Sequence, residues 1–433
     1  MTILDARRLG GRTALGVLTL FVTTTMLAGC GTATGKPEAG EFDIRKLSVG
    51  TYPTDPIDVR RAYVHSPSSG QDLATGRLGD AVVTGPDVDP SFTHGVLSYG
   101  LQISVGLGMV LSKVAEPVAE RNNLMFGYAA SASTKPLSEV KDPSSFLIFS
   151  PFGHRKPDPD STSFSVTVLQ FPDQQRASTA ADQMEAADFD VAADQNQRVV
   201  LDKQPDAKAH WRPGIPSMGT TIARGQYVVS IFVQQPKPKL AGLMSLTDKV
   251  LAAQLPLLDQ TPALSAREVL RLDYDPQGML RRTLHPGSFP YVHAENEITR
   301  TPRGFLHNVD DQATWKTLLD ANGVDSTATT RNGALLLRAR DAQAAAALSA
   351  GIAGITTSQT EKSTDVPDTV CSETGKTTKP DRIEQEEAWD RSDRFICTLH
   401  YNRYVARVAG TQLADVNQRA AAQYALLANS QYM

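Results

Sequence analysis

The sequence predicts an α+β fold of two related halves, each an antiparallel sheet with helices packed on one face. Three observations predict it, and each occurs twice in the same order. An alternating apolar strand runs into a capped amphipathic helix, a tight hairpin follows, and a second helix closes the unit.

In the first half, Ser163 to Phe171 (SFSVTVLQF) alternates and is rich in Val and Phe, the pattern of a buried strand. Asp173 follows as a helix N-cap, with Ala177, Ala180, Ala181 and Met184 at offsets 4, 7, 8 and 11 from it. In the second half the strand is Ala334 to Ala339 (ALLLRA), the cap Asp341, and Ala345, Leu348, Ser349 and Ile352 stand at the same offsets. That spacing puts each set on one helix face. All are apolar but Ser349.

The hairpins read Ile222–Val228, turning at Gly225, and Leu399–Val405, turning at Asn402. Gly and Asn both tolerate positive φ, so their exchange at one turn position has a physical reason. Closing helices are expected over about Leu240–Leu258 and Leu413–Ala428. Each half also opens alike, with Val49-Gly50-Thr51-Tyr52-Pro53 and Leu272-Asp273-Tyr274-Asp275-Pro276. These matches point to an internal duplication.

The stretch Gln102–Arg121 falls outside the repeat and reads as a helix ended or kinked by Pro117. Gly100, Gly106 and Gly108 lie near its start, among Leu97, Leu101, Ile103, Val105, Leu107, Met109, Val110 and Leu111. Each glycine costs a helix about 1 kcal/mol relative to Ala. They are therefore expected to pack against another backbone or to line a hydrophobic ligand site between the halves. Ser133–Arg155 and Ser358–Lys379 are rich in Ser, Thr, Asp, Pro and Lys and read as surface loops.

The first residues carry an address. Arg7, Arg8 and Arg12 precede a mostly apolar stretch, Thr13–Met26, which ends in Leu27-Ala28-Gly29-Cys30. A basic start, a short apolar run and small residues at its end make residues 1–29 a signal peptide. The run is too short to span a membrane comfortably, which takes about 20 apolar residues. Leu-Ala-Gly-Cys resembles the lipobox of bacterial lipoproteins. The resemblance implies that Cys30 carries a diacylglyceryl group and becomes the first mature residue, tying the chain to the extracytoplasmic face of the cell membrane. An ordinary secretory signal with a chance cysteine is the alternative. Arg7-Arg8 hints at twin-arginine export, which the neighbouring residues fit poorly.

Residues 30–41 (CGTATGKPEAGE) form a small, polar, flexible tether. The rest is longer than one core usually fills, so an N-terminal α+β domain over 42–262 and a C-terminal one over 263–433 are expected.

The whole chain has a net charge of −4. Removing residues 1–29 takes away Arg7, Arg8, Arg12 and Asp5, a net of +2, which leaves about −6. With no basic stripe, nucleic acid is not an expected partner. Two cysteines remain after Cys30. Cys371 and Cys397 form an even pair in an exported chain, which points to a disulfide; two independent buried thiols are the alternative.

Catalytic patterns are weak. Ser217 and Ser98 lack the glycine spacing of a nucleophile elbow. None of the eight histidines pairs at i, i+4, and no HExxH occurs, so no metal is expected. His285 and His293 flank a Gly-Ser-Phe-Pro loop and are the best acid–base candidates, with Asp87 as a carboxylate. Asp87-Val88-Asp89-Pro90 offers two oxygens without the rest of a calcium loop, so it reads as a turn. Glu384, Glu386 and Glu387 read as a solvated helix face. No glycine-rich phosphate loop is present, and no cofactor is expected.

Asp87-Val88-Asp89-Pro90, Met125-Phe126-Gly127-Tyr128, Arg338-Ala339-Arg340-Asp341-Ala342 and Ala420-Ala421-Ala422-Gln423-Tyr424-Ala425-Leu426-Leu427 carry a family likeness. With the lipobox, they resemble an uncharacterised domain-of-unknown-function family of cell-envelope lipoproteins from actinobacteria, common in mycolic-acid bacteria. The likeness runs from about residue 42 to the C-terminus and implies no catalytic residues to carry over. More loosely, a hairpin containing Tyr-Val before an Ala-rich closing helix is similar to extracytoplasmic sensor domains of actinobacterial receptor kinases.

Three functions follow as expectations. The first is a non-enzymatic lipoprotein that binds an envelope lipid, glycan or partner protein at the cleft between its halves. The second is an assembly scaffold without ligand. The third is a hydrolase of envelope lipids or glycans using His285, His293 and Asp87.

Overall fold

The computed structural model describes residues 42–102, 104–139, 155–156, 158–287, 292, 294, 297–331, 333–355, 360–361, 366–373, 393–431 and 433. The expected signal peptide, Cys30, the expected tether, His293 and the Glu384–Glu387 run lie outside them, as do residues 140–154 of the first expected loop. Where the second, Ser358–Lys379, is described it is largely strand, Thr360–Glu361 and Thr369–Glu373, and not a surface loop. Asp43–Met433 forms one compact unit.

The strands, in chain order, are β1 (His94–Leu101), β2 (Phe126–Ser133), β3 (Ser138–Glu139), β4 (Arg155–Lys156), β5 (Ser163–Gln170), β6 (Gln197–Val199), β7 (Lys208–Trp211), β8 (Ser217–Arg224) and β9 (Tyr227–Gln234). The second half adds β10 (Ile298–Arg300), β11 (Ser326–Thr329), β12 (Ala334–Arg338), β13 (Thr360–Glu361), β14 (Thr369–Glu373), β15 (Phe395–Tyr401) and β16 (Tyr404–Gly410). One seven-stranded sheet has the order β1-β2-β5-β9-β8-β7-β6 and the other β10-β11-β12-β16-β15-β14-β13, while β3 and β4 pair separately. The two orders are the same topology, every pairing is antiparallel, and the duplication read from sequence is present.

The expected caps and faces are in place. Asp173 accepts from Arg176 N at 2.8 Å, and Asp341 accepts from Ala344 N at 2.7 Å. Ala177, Ala180, Ala181 and Met184 are buried, and so are Ala345, Leu348, Ser349 and Ile352. The hairpins turn at Gly225, φ 58°, and Asn402, φ 50°.

The helices cover both faces of each sheet, where the sequence placed them on one. Helix Gln174–Asp190 packs with Leu101, Leu169 and Val228, while helix Leu240–Asp259 packs with Val229, Ile231 and Val233, which alternation puts on the opposite face. The second half repeats this: helix Ala342–Ile355 meets Leu335, Leu337 and Val405, and helix Leu413–Asn429 meets Leu336, Ala406 and Val408.

Two expectations need correction. Gln102–Arg121 is no single helix: the chain leaves β1, makes a 3-10 turn over Ser104–Met109, and is α-helical only over Glu116–Arg121. Its place before β2 matches that of helix Gln312–Ala321 before β11, so it belongs to the repeat. The two Tyr-Pro-like openings are not equivalent either. Tyr52 and Tyr274 both pack on the core of the second half.

The halves also exchange segments. Leu47 and Tyr63, early in the chain, are buried in the second half's core, with Ile44, Val49 and Val59 against it. Ala263, Leu264 and Val269, which follow the first closing helix, pack on the first half's core. Gln170 fixes the return by donating to Leu264 O at 2.7 Å and accepting from Leu264 N at 3.0 Å.

Candidate functional site

The seam between the halves was the expected ligand cleft, and protein fills it. Helix Pro67–Leu78, capped by Ser66, runs along it with Leu73 in the second half's core and Ala74 and Leu78 in the first half's. Glycines allow the close approach. A Cβ on Gly70 would stand 2.3 Å from Val269 O, and one on Gly76 would stand 1.8 Å from Ile298 Cδ1. Gly100, singled out in the sequence, abuts Thr75 of this helix: its Cβ would stand 2.7 Å from Thr75 Cγ2.

Polar groups at the seam are paired, Gln254 within the first half, and Gln312 and His307 across to its 79–85 segment. Gln254 bonds Ala81 O at 2.7 Å and Val83 N at 3.0 Å. Gln312 accepts from Gly85 N at 2.8 Å and donates to Leu306 O at 3.0 Å. His307 is fully enclosed, its Nε2 3.1 Å from both Gly79 O and Val82 O. Burial pushes its imidazole down to about 4, the direction expected when the charged form cannot be solvated. The ring lies against Tyr128, whose hydroxyl meets Ser98 Oγ at 2.6 Å.

Of the sequence candidates that the structure describes, Asp87 and His285 have separate sets of partners. Asp87 sits in the first turn of helix Gly85–Val88, accepting from Thr84 N at 3.0 Å, Thr84 Oγ1 at 2.9 Å and Arg303 Nε at 3.1 Å. Asp89 accepts from Ser91 and, at 2.7 Å, from Lys249; these bonds hold its carboxyl down to about 2. His285 places Nε2 3.0 Å from Leu280 O and Nδ1 3.4 Å from Glu297, a buried carboxylate that also accepts from Tyr274 Oη at 3.0 Å. Among the described residues no group of His, Cys, Asp or Glu is placed to hold a metal ion.

Sequence reasoning missed three polar groups, each defined by distant partners: the buried His307, the buried Tyr274–Glu297 pair, and the partly buried His210 on β7. His210 Nδ1 meets Glu185 Oε1 at 2.9 Å and its Nε2 faces Asp188 at 3.7 Å, pinning helix Gln174–Asp190 to the sheet. The Glu185 carboxylate raises the His210 pKa above its usual value.

Cys371 and Cys397 stand opposite each other on β14 and β15 and form a disulfide beneath helix Leu413–Asn429, beside Asn417. Among the described residues no helix is long and apolar enough to cross a membrane.

Comparison with solved structures finds the crystal structure of the extracellular domain of PknH from Mycobacterium tuberculosis. It has 8% sequence identity and a TM-score of 0.29, over 46% of this chain and 100% of that one. A likeness at that score carries no argument about fold or role. No curated protein matches the chain. Two family models do: a domain of unknown function (DUF7373), N-terminal, over residues 61–274, and its C-terminal counterpart over 279–430. The first ends where the exchanged segment Ala263–Leu272 leaves the first half's core. Carrying both parts in order, the chain belongs to the DUF7373 family, whose function is unknown.

Proposed function

We propose that this chain is a lipid-anchored extracytoplasmic protein that acts by binding an envelope component or a partner protein. The observation that carries the reading is the Cys371–Cys397 bridge, buried in the second half's core. Disulfides of this kind persist in oxidising compartments outside the cytoplasm. Cys30 in its lipobox-like setting supplies the anchor, and diacyl attachment is strong because each buried methylene adds about 0.8 kcal/mol. With the seam filled by helix Pro67–Leu78, the binding surface lies on the outside of the body.

Native mass spectrometry of protein extracted gently from its own membrane tests this. A reproducible extra mass, absent from protein made without its envelope, supports binding. A bare polypeptide with its anchor lipid supports instead an assembly scaffold, the reading that the filled seam favours. Cys30→Ala should abolish acyl labelling; label that persists in that variant defeats the anchor.

A further inference from the structure

The duplication supplies an internal comparison. In the first sheet one row runs from Phe232 on β9 to Gly219 on β8, His210 on β7 and Arg198 on β6. Each is paired with the next, so all four present the same face, the one covered by helix Gln174–Asp190. Counted from the turns at Gly225 and Asn402, the second half has Ala409, Ile396 and Ser372 at the first three places. There the row is sealed: Ile396 and Ala409 are buried in one cluster with helix Ala342–Ile355, and Ser372 is buried too. In the first half Phe232 is 49% exposed, and among the described residues its ring meets no other aromatic ring.

Gly219 opens the row. A Cβ there would meet His210 Cε1 at 3.5 Å, then Asp188 Oδ2 and His210 Nε2, both at 3.9 Å, which are ordinary contacts. Neither crowding nor a positive φ demands glycine, so its effect is a floor without a side chain. Two polar groups converge over that floor. Glu185 engages His210 Nδ1 at 2.9 Å, which leaves Nε2 for another partner. Nε2 stands 3.7 Å from Asp188 Oδ2, beyond hydrogen-bond distance. The Asp188 side chain is 44% exposed and accepts no hydrogen bond from the described residues. Helix Gln174–Asp190 ends here with no basic residue in its last turn, an electronegative end that turns away phosphates and carboxylates. Arg198, over the Phe189 ring at 4.3 Å, offsets that charge and disfavours an amine.

We propose that this shelf binds a neutral saccharide: Phe232 stacks on the C–H face of a sugar ring while His210 Nε2 and the Asp188 carboxylate share one of its hydroxyls above Gly219. Phe232 and His210 stand two strands apart, roughly 10 Å between their backbones, with the glycine floor between them. A sugar offers both surfaces that this arrangement asks for. Its ring face is apolar, and a hydroxyl can donate to Asp188 while pairing with Nε2 whether or not that nitrogen carries a proton. The inference names the envelope component of the proposed function as a glycan and rests on that proposal.

The test uses the full chain with Cys30→Ala, so the result stands apart from whether Cys30 carries lipid. Maltotriose, mannotriose and galactotriose are titrated separately, with spermidine and inorganic phosphate as charged probes, while NMR follows the imidazole signals of His210. At least one trisaccharide should shift those signals, and neither charged probe should. Phe232→Ala should weaken the binding about tenfold with the melting temperature unchanged, since the ring is half exposed. Gly219→Val, which sets a branched side chain where the other half has Ile396, should abolish binding without lowering the melting temperature. No response to any of the three sugars, full binding by Gly219→Val, or a response to spermidine or phosphate alone overturns the proposal. A retained mass in the native spectrum would in that case still uphold binding, of a different occupant, so the two failures are told apart.

Discussion

Asn123 and Gly323 hold the same place in the two halves, each turning the chain through the left-handed region at φ 58° and 56°. Each follows an asparagine whose side-chain amide bonds a carbonyl four residues back, Asn122 to Val118 O at 2.9 Å and Asn322 to Leu318 O at 2.8 Å. The next amide then closes the helix end, Leu124 N to Ala119 O at 2.9 Å and Val324 N to Leu319 O at 3.0 Å. One helix stop is written twice, once with Asn and once with Gly.

Gly323→Ala should therefore cost about 1–2 kcal/mol, since an L side chain is disfavoured there and the new Cβ would stand 3.2 Å from Arg340 Cβ. Asn123→Gly should change stability by less than about 0.5 kcal/mol, because both residues accept that conformation. Urea unfolding of both variants checks this. Equal costs would show that φ is not what selects these residues.

The seam gives a second contrast. On Gly70 a methyl would meet a backbone oxygen, Val269 O, while on Gly76 it would meet the far end of the Ile298 side chain. Gly70→Ala is expected to destabilise by about 2–3 kcal/mol, in the upper range of overpacking. Gly76→Ala should cost less and be partly rescued by Ile298→Val, which removes the methyl in the way. Additive effects of Gly76→Ala and Ile298→Val in a double-mutant cycle would show that the contact is not the cause.

These contrasts mark what a single sequence can show. The paired helix faces, Ala177 to Met184 and Ala345 to Ile352, were legible because periodicity alone defines them, and Gly225 and Asn402 because turn chemistry is local. The region 102–121 was misread since an apolar run cannot by itself separate a strand end from a helix, and a bulge between Gly95 and Leu97 breaks the alternation of β1. Asp87 and His285 were visible as residue types. Their roles were not, because Arg303 and Glu297 reach them only through the tertiary fold. The matched openings at Tyr52 and Tyr274 misled because a short string carries no record of which half it will pack on.

The disulfide is testable by chemistry alone. In a Cys30→Ala background, the denatured but unreduced protein should show no free thiol. Cys371→Ser should expose one, at Cys397, and lower stability by about 3–4 kcal/mol, the loop-entropy value for a sequence separation of 26. Two reactive thiols in the unsubstituted pair would remove both the bridge and the compartment argument that rests on it.

Two histidines should give the protein opposite responses to acid. His307 has a folded pKa of about 4 against an ordinary value near 6.5, so between those values the unfolded chain binds a proton that the folded chain refuses. Its contribution is intact above about pH 6.5, shrinks as pH falls, and is lost by about pH 4, a change of about 3 kcal/mol. His210 has the reverse sign, because Glu185 and then Asp188 favour its charged form. Its contribution is full below the unfolded value and fades as pH rises through the raised folded one. Unfolding free energies of the wild type, His307→Gln and His210→Gln from pH 4 to pH 8 separate the two. The wild type should lose its advantage over His307→Gln on acidification and its advantage over His210→Gln on alkalinisation. Parallel profiles would mean that the seam admits a proton to His307 as readily as solvent does, which the enclosure of its ring by Gly79, Val82 and Tyr128 does not allow.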